Sequence, residues 1–260
     1  MAAPAPAPAG TAAMLRWVLA AHFLASLADN ALLAVAISLL ESRLAPGWTT
    51  PALRISFYAA YVLLAPLAGP LADRFDKARL MTAVNALKLA GCVGLAAGAH
   101  PVLVFGSIGL GAAAYAPARY GILPELVKGR ALLRANAAME IVSIVAILAG
   151  VALGALMVAG SARWSLYSAC ALMALLYAGG AAAAAMGGLS PAVRLPRPAQ
   201  HGTLGFKAGF GVLLRDPDAR VSLAITSLFW ATAAVLQFMM IDWARRVLGL
   251  GLAAASMLPA

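Results

Sequence analysis

The sequence predicts an all-α polytopic membrane protein, and three observations support this fold class. Hydrophobic residues make up 63% of the 260-residue chain, charged residues make up 11%, and the mean hydropathy is +0.91. A soluble domain carries about 25% charged residues, so this chain lacks the polar side chains that a water-facing surface needs. Most of the charges lie between long apolar runs. The apolar surface is therefore expected to face lipid.

Seven apolar runs come close to the length of roughly 20 residues that crosses a bilayer. They occupy residues 14–40, 52–72, 80–98, 102–123, 135–159, 164–188 and 219–241. The first run is much longer than the apolar part of a signal peptide, which is about 7–15 residues, so we interpret it as a membrane span. Residues 1–13, which are rich in Ala and Pro, are predicted to form a disordered N-terminal tail.

The distribution of lysine and arginine predicts a cytoplasmic N-terminus. In this orientation the cytoplasmic segments hold more Lys and Arg than the opposite segments, as the positive-inside rule requires. The net charge of +10, which would suggest nucleic acid as a partner for a soluble protein, is then a consequence of topology. Cys92 and Cys170 lie inside apolar runs, and the histidines are scattered. The spacing therefore predicts no metal site and no cofactor.

Residues 189–218 separate the sixth and seventh runs and suggest how the chain is organised. They are rich in Pro, Gly and Arg and contain no run of spanning length. We interpret them as a cytoplasmic linker between a six-helix bundle at 14–188 and the first helix of a second bundle, with its following loop, at 219–260. This order is typical of transporters built from two bundles. The chain is therefore expected to be an N-terminal half with a truncated second half, and the alternative is a seven-helix protein.

The loop after the second run, residues 69–79, reads GPLADRFDKAR. It resembles the signature loop of the major facilitator superfamily, in which Gly-x-Leu-Ala-Asp-Arg is followed by basic residues. The resemblance implies a gating role for Gly69, Asp73, Arg74, Lys77 and Arg79, which we call the gating loop. Asp73 is a candidate helix N-cap, and the basic residues would hold the loop at the anionic leaflet. A loop that only sets topology is the alternative.

Three further stretches resemble the bacterial lysophospholipid transporter family. They are FLASLADNALL at 23–33, GAAAYAPARYGILPEL at 111–126 and ANAAME at 135–140, and SLFW at 227–230 also fits. The resemblance covers about residues 14–246. It implies a secondary transporter, not an enzyme, that moves lysophospholipids, chiefly lysophosphatidylethanolamine, across the bacterial inner membrane for reacylation on the cytoplasmic side. Membrane lipids and a cytoplasmic-side acyltransferase are the partners that it suggests.

Ionisable residues inside the apolar runs are the candidates for the site, because each costs about 2.5–3.5 kcal/mol at mid-bilayer unless it has a partner or a cavity. There are two acids, Asp29 and Glu140, and two bases, Lys88 and Arg119. One hypothesis is structural: two ion pairs, one of them between Arg119 and Glu140, tie helices together. Asn85, Asn136 and Ser143 are uncharged polar residues expected nearby.

The other hypothesis is a site for a zwitterionic head group. Arg119 offers a planar fork to a phosphate, Lys88 offers a point charge, and Asp29 or Glu140 could face the ammonium. Pro117 could kink the fourth span beside Arg119 and open space for a polar cavity. The predicted substrate-binding residues are Arg119, Asp29, Asn30, Lys88, Glu140 and Tyr115.

Two other functions are compatible with parts of the sequence. A drug or solute transporter coupled to protons would use Asp29 and Glu140 as proton carriers. A membrane-embedded acyltransferase would need a His-x-x-x-x-Asp constellation, which His22, His100 and His201 do not provide.

Two glycine pairs with helical spacing are expected to allow close packing between helices. The first is Gly94 with Gly98, and the second is Gly150 with Gly154.

Overall fold

The computed structural model describes residues 10–159, 165–188 and 203–249, and the regular structure within these ranges is α-helical. The chain divides into two compact units, residues 1–200 and 201–260. The first unit contains six helices, each long and apolar enough to cross a membrane. They are α1 (Thr11–Ser42), α2 (Thr49–Arg74), α3 (Lys77–Ala96), α4 (Pro101–Leu126), α5 (Arg130–Ala159) and α6 (Leu166–Gly188). The predicted all-α multi-pass architecture is confirmed.

The first six predicted spans correspond one to one with α1–α6. The observed helices are in general somewhat longer than the apolar runs, and α5 begins at Arg130 rather than at residue 135. The reason is physical: hydropathy marks only the part of a helix that lies in hydrocarbon, whereas backbone hydrogen bonding continues into the interfacial region. The helix α4 continues through Pro117 and Pro124 to Leu126.

All six helices of the first unit contribute side chains to a common core. The helix α1 packs on α5 and α6, α3 packs on α4 and α6, and α4 packs on α2. Met14, Val18, Met81, Ala118 and Met139 belong to the buried core cluster between these helices. The helices α2 and α5 are the least buried of the six and carry many exposed large apolar side chains. Their outer faces suit lipid or a packing partner.

The second unit contains α7 (Thr203–Arg215) and α8 (Pro217–Val247). The side chain of Asp216 caps α8 by accepting hydrogen bonds from the N–H groups of Asp218 and Ala219. The predicted linker, 189–218, therefore contains the helix α7, and its residues 189–202 lie outside the described ranges. The predicted seventh span, 219–241, lies within α8, and its crossing of the membrane stays a prediction. The predicted tail, 1–13, overlaps the start of α1, and its residues 1–9 are outside the described ranges.

Two glycines of α5 allow a close approach to α1. A Cβ at Gly150 would lie 2.5 Å from the carbonyl oxygen of Leu27, and a Cβ at Gly154 would lie 2.6 Å from the Cβ of Ala34. Real Cβ atoms do not tolerate such distances, so only glycine fits at both positions. The predicted packing role of this pair is confirmed.

The predicted packing role of Gly94 and Gly98 is wrong. A Cβ at Gly94 would meet only the Cβ of Ala99, at 3.8 Å, and Gly98 has open space around it. The helix α3 ends at Ala96, and Gly98 has a φ of +95°, which is favourable for glycine after a helix end. Gly94 and Gly98 therefore lie at the C-terminal end of α3 and do not form a contact between helices.

Replacing Gly150 by alanine is expected to destabilise the first unit by about 1–3 kcal/mol, because the added methyl forces α1 and α5 apart. Gly106→Ala is the matched control, since a Cβ there would meet only the Cβ of Ser56 at an ordinary 3.8 Å. Thermal unfolding in detergent, followed by tryptophan fluorescence, measures both. Equal melting temperatures for the two variants would contradict the packing role of Gly150.

Candidate substrate-binding site

The first cluster of charges inside the membrane is a closed ion pair. The ammonium of Lys88 lies 2.6 Å from Oδ2 of Asp29, and the hydroxyl of Tyr177 donates to Oδ1 of Asp29 at 2.7 Å. The Lys88 side chain is only 2% exposed. Its ammonium also lies 5.7 Å from the ring centroids of both Tyr115 and Tyr177. This Asp29–Lys88 pair joins α1, α3 and α6, and both of its charges have a partner.

The second cluster is a chain of hydrogen bonds that starts at Arg119 on α4. Its Nη2 donates to the hydroxyl of Tyr120 at 2.7 Å, and that hydroxyl donates to Oε1 of Glu140 on α5 at 2.6 Å. The guanidinium carbon lies 4.3 Å from the centroid of the Tyr120 ring. We call this arrangement the Arg119–Tyr120–Glu140 chain. It places one hydroxyl between a fixed cation and a carboxylate.

The hypothesis of a direct ion pair between Arg119 and Glu140 is wrong in this structure. No carboxylate of the described residues lies within salt-bridge distance of the Arg119 guanidinium. The physical reason is that Tyr120, the next residue on α4, reaches across to α5 and occupies the space between the two charges. The charge of Arg119 is therefore met by neutral acceptors.

Neutral acceptors also hold the other side of the guanidinium. Nη1 of Arg119 contacts the imidazole of His22, with 3.2 Å to Nδ1 and a shorter contact to Nε2, and it lies 3.4 Å from Oγ of Ser143. Nε2 of His22 is itself 2.8 Å from Oγ of Ser143. The Nε of Arg119 has no partner among the described residues. The guanidinium thus links α1, α4 and α5.

The two clusters differ in their accessibility. Glu140 is exposed, Tyr120 is 39% exposed and Arg119 is partly buried, whereas Lys88 is fully buried. A ligand that approaches the bundle from outside can therefore reach the Arg119–Tyr120–Glu140 chain without unpacking a helix. It cannot reach the ammonium of Lys88 in the same way.

Two of the six predicted substrate-binding residues, Asn30 and Tyr115, form no hydrogen bond with either cluster. The amide of Asn30 donates to the carbonyl oxygen of Ser26 in its own helix at 2.8 Å. Tyr115 is buried, and its ring stacks on that of His22 with 6.0 Å between the ring centroids. Its hydroxyl has no partner among the described residues. The six predicted residues are thus divided between the two clusters and their surroundings.

His22, Tyr120 and Tyr177 were absent from the predicted set, although each makes a hydrogen bond to a predicted residue. Helical spacing carries a signal that could have found one of them. His22 and Asp29 are seven residues apart on α1, so they lie on one face, two turns apart. A histidine in an apolar run is therefore a candidate site residue when a charged residue lies two turns away on the same face of the helix.

The gating loop contains an ion pair that joins α3 to the end of α4. The ammonium of Lys77 pairs with the carboxylate of Glu125, and their side chains are 14% and 34% exposed. The stem of Lys77 crosses α4 at Gly121, where a Cβ would lie 2.8 Å from Cε of Lys77. The pairing of Glu125, near the end of α4, with a residue of this loop was not predicted from the sequence.

The predicted capping role of Asp73 at the start of α3 is wrong. The N-cap of α3 is Asp76, whose Oδ1 accepts the N–H of Arg79 at 2.9 Å. The helix α2 continues past Pro70 to Arg74, so Asp73 lies in its last turn and does not precede the start of α3 at Lys77. Of the other residues of the loop, Gly69 has open space around it, and Arg74 and Arg79 are exposed.

The described residues contain no group of three His, Cys, Asp or Glu side chains arranged to hold a metal ion. The polar side chains described above in the bundle interior form an ion pair and hydrogen bonds. Such an arrangement can bind an anionic or zwitterionic group.

Comparison with known proteins supports the resemblance to lysophospholipid transporters. The chain is 40% identical over 238 residues to the lysophospholipid transporter LplT of Pectobacterium carotovorum subsp. carotovorum (strain PC1), which covers 90% of this chain and 57% of the relative. The same identity and length relate it to the protein of that name from Salmonella heidelberg (strain SL476), with 90% and 58% covered. The chain thus spans somewhat more than half the length of these relatives.

The sequence pattern of the Major Facilitator Superfamily matches residues 17–260. This match runs through all six helices of the first unit, includes the loop between α2 and α3, and extends into the second unit. Because it covers nearly the whole chain, this protein belongs to the Major Facilitator Superfamily.

Proposed function

We propose that this protein is a secondary transporter that moves lysophospholipids, chiefly lysophosphatidylethanolamine, to the cytoplasmic leaflet of the bacterial inner membrane. The observation that carries the proposal is the Arg119–Tyr120–Glu140 chain, in which a cation and a carboxylate are separated by a single hydroxyl group. The relatives that are 40% identical are named for lysophospholipid transport. Reacylation of the delivered lipid by a cytoplasmic-side acyltransferase would complete its use.

A phosphoethanolamine head group carries charges that complement the two ends of this chain. Its phosphate is anionic, its ammonium is cationic, and two carbons of the ethanolamine unit separate them. Arg119 can donate two parallel hydrogen bonds to phosphate oxygens, which is the strong geometry for this pair. Glu140 can accept from the ammonium. One zwitterion would then satisfy both ends.

Tyr120 occupies the position between the two charges. Its hydroxyl accepts from Arg119 and donates to Glu140, so it meets both groups with neutral chemistry. Binding requires the phosphate to replace that hydroxyl at Nη2 of Arg119 and the ammonium to replace it at Glu140. The exchange replaces two hydrogen bonds in which one member is ionised by two in which both members carry opposite charges, so it favours the lipid.

The other predicted residues have supporting roles in this proposal. The Asp29–Lys88 pair is buried and closed, so we assign it to holding α1, α3 and α6 in register. Tyr115 packs between Lys88 and His22. Asn30 stays within its own helix. The lipid's single acyl chain can remain among membrane lipids outside the bundle.

The depth of the site agrees with delivery towards the cytoplasm. Under the proposed orientation, the N-terminus of α1 and the C-terminus of α4 are cytoplasmic. Arg119 precedes the end of α4 by seven residues, which is about 10 Å along the helix. Glu140 follows the start of α5 by ten residues, which is about 15 Å. Both charges then lie in the cytoplasmic half of the bilayer.

A proton-coupled drug or solute transporter is the second candidate function. The exposed carboxylate of Glu140 favours it, because a carboxylate that faces an accessible region can carry a proton. Asp29 suits this role less well, since its two oxygens are engaged by Lys88 and Tyr177. The names of the relatives favour the lipid.

The two functions are separated by one pair of assays on the complete gene product. Cells that lack their own lysophospholipid transport are given isotope-labelled lysophosphatidylethanolamine, and the reacylated product is measured. The same cells are loaded with a fluorescent dye, and its proton-dependent efflux is followed. We expect lipid uptake without dye efflux. Dye efflux without lipid uptake would overturn the proposal and support the exporter.

Breaking the ion pair of the gating loop is expected to slow transport and leave lipid binding unchanged. In Lys77→Ala, the contact between the start of α3 and the end of α4 is lost, while the Arg119–Tyr120–Glu140 chain is untouched. Arg79→Ala is the control, because Arg79 is an exposed basic residue of the same loop. Initial uptake rates in proteoliposomes and equilibrium binding in nanodiscs measure the two effects.

The charge-swapped variant Lys77→Glu/Glu125→Lys tests the assignment further. If the pair acts through its mutual attraction, the swap restores part of the rate. If Lys77→Ala lowers the uptake rate only as much as Arg79→Ala does, only the positive charge of the loop matters.

A further inference from the structure

His22 is the most deeply placed neutral partner of the Arg119 guanidinium. It is 5% exposed and lies on α1, and it contacts Arg119 of α4 and Ser143 of α5. The mechanism proposed above uses Arg119 but gives no account of what fixes the direction of its fork. A long side chain that enters a lipid-facing bundle without a carboxylate partner needs such a fixed acceptor.

The hydrogen bond with Arg119 determines the protonation state of His22. A guanidinium only donates and is not deprotonated in proteins. An imidazolium has no lone pair to accept such a donation, so the contact with Arg119 requires a neutral imidazole. The hydroxyl of Ser143 donates to the carbonyl oxygen of Met139 at 2.8 Å, so its oxygen accepts from Nε2–H of His22, which lies 2.8 Å away. In this tautomer Nδ1 of His22, 3.2 Å from Nη1, carries the lone pair that accepts from Arg119.

The groups around His22 agree with a neutral acceptor. The nearby cations are Arg119 on α4 and Lys88 on α3, and Lys88 already pairs with Asp29 of α1. On α4 the ring of Tyr115 stacks against the imidazole. On α5 the carboxylate of Glu140 is engaged by the Tyr120 hydroxyl, and on α6 the hydroxyl of Tyr177 is engaged by Asp29.

The positions of the partners divide the guanidinium into two sides. Nη1 faces the buried His22 and Ser143, whereas Nη2 faces the hydroxyl of Tyr120, which is 39% exposed. Fixing Nη1 leaves Nη2 as the edge that a phosphate can reach. Preorganisation of this kind lowers the cost of ordering a flexible side chain when the ligand binds.

We propose that His22 is a positioning residue: as a neutral imidazole, it accepts from Nη1 of Arg119 and thereby directs Nη2 towards the lipid phosphate. This inference rests on the proposed function, since it specifies how the same site recognises the phosphate. Ser143 has the secondary role of anchoring the imidazole and the guanidinium to α5. His22 itself does not contact the lipid.

Two substitutions at position 22 separate hydrogen bonding from packing. His22→Gln keeps a neutral side chain with a carbonyl acceptor for Arg119 and an amide donor for Ser143. His22→Phe keeps an aromatic ring that can stack on Tyr115 but has no acceptor. A positioning role predicts that Gln preserves function and Phe does not, whereas a packing role predicts the reverse.

The experiment measures equilibrium binding of lysophosphatidylethanolamine, and of a monoacylglycerol with the same acyl chain, to the complete gene product in nanodiscs. The ratio of the lysophosphatidylethanolamine affinity to the monoacylglycerol affinity measures recognition of the whole phosphoethanolamine group, and the Arg119→Ala arm below identifies the part that depends on Arg119. We expect His22→Phe to lower this ratio by about tenfold, which matches the loss of one hydrogen bond to a charged group. His22→Gln is expected to stay within about threefold of the wild type, a difference well below the energy of such a bond.

A second arm repeats the substitutions in the Arg119→Ala background. If His22 acts through Arg119, His22→Phe has no further effect there, because residues that act on one contact are not additive. A wild-type ratio in His22→Phe, or an equal further loss in the Arg119→Ala background, would overturn the positioning role. Should the wild type itself show no preference for the phosphate-bearing lipid, the proposed function would fail instead. Melting temperatures of the variants identify any that fail to fold.

Discussion

Replacing Lys88 by alanine is expected to destabilise the first unit by about 3–5 kcal/mol, the cost of leaving one charge of a buried pair without its partner. In this variant the carboxylate of Asp29 keeps only the hydroxyl of Tyr177. The Asp29 side chain is only 19% exposed, so most of the carboxylate's surface is kept from water. Unfolding in detergent, followed by tryptophan fluorescence, measures the loss.

The double variant Lys88→Met/Asp29→Asn is expected to recover most of that stability. It removes both charges and keeps similar side-chain volumes, and replacement of a buried ion pair by neutral groups is often tolerated. Arg246→Ala is the control, because Arg246 forms an exposed ion pair with Asp242 within α8. Such surface pairs contribute about 0–1 kcal/mol. If Lys88→Ala melts like Arg246→Ala, the Asp29–Lys88 pair does not hold the bundle together.

Replacing Arg119 by alanine is expected to weaken lysophosphatidylethanolamine binding by about 10- to 100-fold, since hydrogen bonds to charged groups contribute roughly 1.5–3 kcal/mol. Arg119→Lys keeps the charge but loses the planar fork, so its affinity is expected to lie between those of alanine and wild type. Lys128→Ala is the matched control, because it removes an exposed positive charge from the loop after α4. Equilibrium binding in nanodiscs gives all affinities.

The double variant Arg119→Ala/Glu140→Ala distinguishes a phosphate site from a structural contact. If the Arg119–Tyr120–Glu140 chain only ties α4 to α5, removal of both charges restores stability and lipid binding. If Arg119 contacts the phosphate, the double variant is stable and still binds the lipid poorly. Full recovery of binding would remove Arg119 from the site.

The helices could be predicted from the sequence because apolar runs of spanning length are a strong signal in this chain. The resemblance of residues 69–79 to the signature loop also gave the superfamily correctly. The cap of α3 was assigned to the wrong aspartate, because Asp73 and Asp76 are both plausible caps and only the continuation of α2 through Pro70 decides between them. Glycine spacing likewise predicted packing at Gly150 but failed at Gly98, which lies beyond a helix end.

Partners across helices could not be predicted in the same way. A membrane helix is apolar on most faces, so its periodicity does not fix which side meets which neighbour. The sequence indicated that two acids and two bases needed partners. It did not indicate that Asp29 pairs with Lys88 while Arg119 is met by His22, which is 97 residues away. The Tyr120 hydroxyl between Arg119 and Glu140 depends on side-chain direction, which spacing alone does not give.

The central claim, that Arg119 recognises the phosphate of a lysophospholipid, is tested most directly by one comparison of affinities. Lysophosphatidylethanolamine and a monoacylglycerol with the same acyl chain are bound to wild type and to Arg119→Ala in nanodiscs. The account predicts that the wild type prefers the phosphate-bearing lipid by at least about tenfold, the equivalent of 1.4 kcal/mol, and that this preference is about tenfold smaller in Arg119→Ala. An equal preference in both proteins would contradict the account.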